Sequence, residues 1–144
     1  MERFWLKQYP PGVAYDINPD EFASLADMID ASLARYADLP AYVQMDCRMT
    51  YREIDAQSAA FAAWLQSQGM AKGDRISIML PNLLQYPIVM FGALRAGLVI
   101  VNTNPLYTAD ELRHQLNDSG ATQRLRWPKG QKAPRGSKRA AVLS

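Results

Sequence analysis

The sequence predicts an α/β protein built on a mainly parallel sheet, and three observations carry that prediction. Ile76 to Leu80 and Leu98 to Val101 are apolar runs without the in-out alternation of a half-exposed strand, the pattern of strands covered on both faces. Between them, Ile88, Val89, Phe91 and Leu94 follow a helical spacing that runs into Gly97. Beyond them, Thr108 opens another helix. Lys72 to Gly120 therefore reads as a β-α-β-α unit around which the remainder is arranged.

Taken in order, residues 1 to 18 carry Pro10, Pro11 and Gly12 among scattered aromatics (Phe4, Trp5, Tyr9, Tyr15), which suits an extended arm packed on a surface. Leu25, Met28, Ile29, Leu33 and Tyr36 share one face of a helix that Ser24 and Asp27 start and Pro40 ends. Tyr42-Val43 and Arg48-Met49-Thr50 form a hairpin turning at Met45-Asp46. Thr50-Tyr51-Arg52-Glu53 has the capping-box form, and Ile54, Ser58, Phe61, Ala62 and Leu65 mark the inner face of a helix stopping at Gly69. Lys72-Gly73-Asp74 turns into the first strand, and Pro81-Asn82 breaks it. A helix then begins near Leu84, where Pro87 is tolerated because first-turn amides lack intrahelical partners. Thr108-Ala109-Asp110-Glu111 is a second capping box, and its helix closes at Ser119-Gly120. After Gly120 no apolar strand is expected, and the arginine- and lysine-rich residues 123 to 144 read as disordered.

Composition separates these two parts. Residues 1 to 122 hold nine Lys or Arg against fourteen Asp or Glu, a net of −5, whereas residues 123 to 144 hold seven Lys or Arg and no acid, a net of +7. The expected division is 1–122 as the folded part and 123–144 as a basic tail. The single cysteine, Cys47, cannot close an intramolecular disulfide or build a cysteine-rich zinc site. Met1 to Lys7 has no apolar run of signal-peptide length, so a cytoplasmic location is expected. Ile76 to Leu94 has no formal charge, yet Pro81, Asn82, Gln85 and Pro87 interrupt it; a buried strand followed by a buried helix explains it better than a membrane span.

Chemistry-bearing motifs are scarce. Gly92 and Gly97 have the separation of a phosphate loop's outer glycines, but Leu98-Val99 follow where Lys and Ser or Thr are needed. The single histidine, His114, lies four residues from Asp110 on a helix, with no G-x-S-x-G elbow to complete a triad. Acids fall on caps and solvated faces rather than in ligand clusters. No catalytic, cofactor-binding or metal-ligating residue is assigned.

Four blocks in register nevertheless carry a resemblance. Met49-Thr50-Tyr51-Arg52-Glu53-Ile54, Lys72-Gly73-Asp74-Arg75 with Met79-Leu80-Pro81-Asn82, Leu94-Arg95-Ala96-Gly97 through Asn104-Pro105-Leu106-Tyr107, and Gln115 to Ala121 resemble successive motifs of the adenylate-forming (AMP-binding) superfamily. Asn82 to Pro87 and Val101 to Tyr107 are similar to its bacterial long-chain fatty acyl-CoA synthetase branch. The resemblance implies the incomplete N-terminal portion of an AMP-dependent synthetase/ligase domain. It implies a parent enzyme that joins a fatty acid to AMP from ATP with Mg²⁺, then transfers the acyl group to the thiol of coenzyme A. That family's phosphate loop, magnesium acid, ribose aspartate and catalytic lysine have no counterpart here, so no cofactor is expected for this chain and inactivity alone is expected. Family members are often peripheral at the inner membrane, although no amphipathic anchor stands out in this sequence.

The resemblance stops at Ala121 or Thr122, and the arginine, lysine, proline, glycine and alanine bias beyond it is that of a shifted reading frame. A truncated or frameshifted product is the expectation. Two alternatives stay open: a non-catalytic interaction module, and a basic-tailed polyanion-binding protein, for which only Trp127 is an aromatic and no specific nucleic-acid motif is visible.

Overall fold

Thr50 and Glu53 set the start of the longest helix. The Thr50 hydroxyl accepts from Glu53 N–H at 3.2 Å, and the Glu53 carboxylate accepts from Thr50 N–H at 2.9 Å. Two amides that a helix cannot satisfy internally are thus paired. The computed structural model describes residues 3–126 and 142–143. A short 3₁₀ turn at Phe4–Gln8 precedes helix α1, Leu25–Arg35, whose cap is Ser24 accepting from Asp27 N–H. Strands β1 (Pro40–Gln44) and β2 (Cys47–Thr50) make an antiparallel hairpin, with Met45 at φ 51° in its turn. Then come α2 (Tyr51–Ser67), β3 (Arg75–Met79), α3 (Gln85–Arg95), β4 (Val99–Asn102), α4 (Ala109–Ser119), β5 (Gln123–Arg126) and β6 (Val142–Leu143).

The main sheet has the order β4-β3-β5-β6. Strand β3 is its centre, parallel to β4 with Ile76 opposite Ile100 and parallel to β5 with Ile76 opposite Gln123. The β5–β6 pair is antiparallel. This is the α/β, mainly parallel architecture the apolar runs predict.

Packing follows the helix stripes. Ala62 and Leu65 of α2 meet Ala93 of α3 and its C-cap residue Ala96 over Ile76, while Ile29 and Leu33 of α1 meet Ile54 and Ile88 beside Met49. Helices α2 and α3 approach so closely at Gly92 that a Cβ there would lie 2.7 Å from Ser58 O and 2.8 Å from Phe61 Cδ1. Gly92 therefore serves helix contact, and Gly97, at φ 76°, turns the chain from α3 into β4. Neither forms a phosphate loop.

Arg95 ties the three helices. Its Nε and Nη2 donate to Asp30 Oδ1 at 2.8 and 2.6 Å, its Nη1 donates to Ser58 Oγ at 2.8 Å and to Asp55 O at 2.9 Å, and its Nη2 also reaches Asp55 Oδ1 at 2.5 Å. Burial works against its charge, but hydrogen bonds to Asp55 and Asp30 outweigh burial and raise the guanidinium above its ordinary value.

Two expectations are corrected. No strand was expected after Gly120, yet Gln123–Arg126 is the third parallel strand. A strand on the free side of β3 gains its backbone ladder whatever its side chains, and one residue, Leu125, is fully buried with Ile78, Leu80 and Val89. Counting charges obscured that single anchor. The rest of the expected disordered tail, residues 127–141 and 144, lies outside the described residues. The N-terminal arm lies at the surface as expected, Phe4 being 70% exposed, with Phe4 edge-on to Trp5 and Tyr9 edge-on to Tyr15, but Phe4–Gln8 forms a 3₁₀ turn where no regular element was expected. The uncharged stretch from Ile76 to Leu94 is β3 and α3, and among the described residues no helix is long and apolar enough to cross a membrane.

Candidate functional site

Loops leaving the carboxyl ends of parallel strands converge on one edge of the sheet, and ligands of open α/β folds bind there. Here β3 leaves through Leu80-Pro81-Asn82 and β4 through Thr103-Asn104-Pro105. Thr103 N–H donates to Ile78 O at 3.0 Å, extending the ladder past β4. Its hydroxyl lies 2.7 Å from Ser77 Oγ, and both residues are buried, so each hydroxyl satisfies the other where water does not reach.

Asn102 joins this edge to two helices. Tyr86 of α3 donates its phenolic O–H to Asn102 Oδ1 at 2.7 Å, and Gln115 of α4 donates from Nε2 to Asn102 O at 2.9 Å. Asn104 then folds the exit loop, its Oδ1 accepting from Leu106 N–H at 3.0 Å and its carbonyl from Tyr107 N–H at 3.1 Å. Thr108 and Glu111 complete the turn as a capping box, and the hydroxyl and backbone N–H of Thr108 hold the Glu111 carboxyl below its ordinary value.

The opposite loop is clamped by the hairpin. Gln44 Nε2 donates to Asn82 O at 3.0 Å, and Gln44 Oε1 accepts from Leu84 N–H at 3.1 Å. Helix α3 has Leu84 at its cap position and so no capping side chain of its own; a remote residue supplies the acceptor. A depression of about 270 Å³ lies against this clamp, bordered by Tyr42, Gln44, Asn82 and Tyr86. Desolvation, then the neighbouring Tyr51, raises the Tyr42 phenol.

The edge is a set of hydroxyls and amides that hold two strand exits in place. It contains no nucleophile beside a base, and among the described residues no group of three or more His, Cys, Asp or Glu could hold a metal ion. His114 is exposed on α4, while Asp110 pairs with Arg113 at 2.7 Å instead. Cys47 is a free, half-buried thiol in β2. Neither the Arg95 hub nor the Gln44 clamp is visible in any short stretch of sequence; the one legible signal is the missing cap residue before α3.

Solved structures share this framework. The N-terminal subdomain of Klebsiella oxytoca NpsA superposes with a TM-score of 0.71 at 26% identity, over 77% of this chain and 29% of that one. The same subdomain in complex with 3-hydroxyanthranilyl-AMSN gives 0.66 at 28% identity, over 68% of this chain and 25% of that one. The fold is thus that of the N-terminal portion of an adenylate-forming domain.

A family profile described as AMP-binding enzyme matches residues 29–140, a range that continues past residue 122. The chain belongs to the AMP-binding enzyme family. It is 57% identical over 123 residues to a long-chain-fatty-acid–CoA ligase of Escherichia coli, 85% of this chain and 22% of the relative. Ligases with the same description from Yersinia pestis and Haemophilus influenzae are 55% and 48% identical over 122 residues, 84% of this chain and 22% of each relative. The chain therefore spans about a fifth of the length of the curated relatives it matches.

Proposed function

We propose that this chain supplies the N-terminal framework of an ATP-dependent fatty acid:CoA ligase and does not carry out ligation by itself. The observation behind this reading is the 57% identity to a long-chain-fatty-acid–CoA ligase over 85% of the chain. In the parent reaction a fatty carboxylate attacks the α-phosphorus of ATP and pyrophosphate leaves. The thiolate of coenzyme A then attacks the acyl carbon and AMP leaves. A free carboxylate is a poor electrophile, and the mixed anhydride provides the leaving group it lacks.

The described residues contribute architecture to that chemistry. Ser77, Thr103, Asn102 and Gln115 fix the exits of β3 and β4, and Arg95 locks the helices behind them. Among the described residues no cluster of carboxylates fits a Mg²⁺ ion. ATP, Mg²⁺ and coenzyme A belong, on this reading, to the longer relatives, as does any peripheral contact with a membrane. The chain itself is assigned to the cytoplasm.

Two assays test the proposal. The 144-residue chain, given ATP, oleate and coenzyme A, should release no AMP above a heat-killed control; turnover would refute the inactive reading. The Escherichia coli relative carrying residues 1–122 of this chain in place of its own aligned segment should still form oleoyl-CoA. A folded, silent chimera would refute the ligase reading.

A further inference from the structure

We draw no further inference here: the strongest candidate, the apolar groove of about 640 Å³ between α1, α3 and the edge of β4 left unpaired among the described residues, restates an established property of the adenylate-forming family, the packing of this N-terminal segment on the rest of its own domain.

Discussion

Replacing Arg95 by Ala should cost this chain about 2–3 kcal/mol of stability, and the estimate follows from what each contact leaves behind. Hydrogen bonds to charged groups contribute about 1.5–3 kcal/mol each when both partners are shielded, and breaking a fully buried pair costs about 3–5 kcal/mol. The arginine side chain is 15% exposed, but its partners Asp30 and Asp55 are about half exposed, so water can rehydrate both carboxylates and the ion-pair loss sits at the low end. Ser58 is fully buried, yet its hydroxyl keeps Asp55 O as acceptor at 3.2 Å, so it loses one partner of two, a cost of about 1 kcal/mol. Loss of the packed arginine stem supplies the remainder. Arg95→Lys should recover less than half, because one ammonium cannot span Asp30, Asp55 and Ser58 as the planar fork does. Urea unfolding of the full chain, followed by circular dichroism, measures the difference through the midpoint at constant slope. A loss under about 0.5 kcal/mol for Arg95→Ala would refute the claim that this residue fastens α1 and α2 to α3.

Three further outcomes are expected. Gly92→Ala should destabilise by about 1–3 kcal/mol, against the roughly 1 kcal/mol gain that alanine brings to an ordinary helix position, because its methyl meets the Ser58 carbonyl at 2.7 Å; thermal melting gives the sign. Ser77→Ala should cost about 1 kcal/mol by leaving the Thr103 hydroxyl only its long bond to Val101 O at 3.4 Å, and the double variant with Thr103→Val should cost less than the two single losses added, a non-additivity that a double-mutant cycle reads directly. The Glu111 carboxyl has a depressed folded-state pKa, so its contribution to the α4 cap is present above the ordinary value of 4.5 and disappears as pH falls through the lower folded value; the protection factors of the first-turn amides, exchange rates taken relative to the unstructured chain at the same pH, should fall there, and Glu111→Gln should abolish that fall.

Much of the fold was legible because it is locally encoded. Both capping boxes, the glycine stops at Gly69 and Gly120, and the apolar strands at Ile76 and Leu98 each announce themselves within a few residues. Strand β5 was illegible because its specification is non-local: Gln123 and Arg124 are paired by the backbone of β3, and Leu125 alone meets the core. The same distinction governs the carboxyl edge. Asn102 touches Tyr86 and Gln115, sixteen and thirteen residues away, and Gln44 reaches Leu84 across forty, so no window of sequence shows these contacts. The aromatic arm was legible as a surface segment from its prolines and glycine, whereas its 3₁₀ turn at Phe4–Gln8 was not.

The position of β3 between β4 and β5 imposes a timetable on the ribosome. Its partner at Val99–Asn102 emerges with only α3 intervening, so one side of the sheet can zip while the downstream codons are still being read. The other side must wait for Gln123 and a loop about twice as long. Pulsed hydrogen exchange during refolding is expected to show amides donated from β4 to β3 protected ahead of those in the β3–β5 ladder, giving the nascent chain an early half-sheet whose second seam closes last.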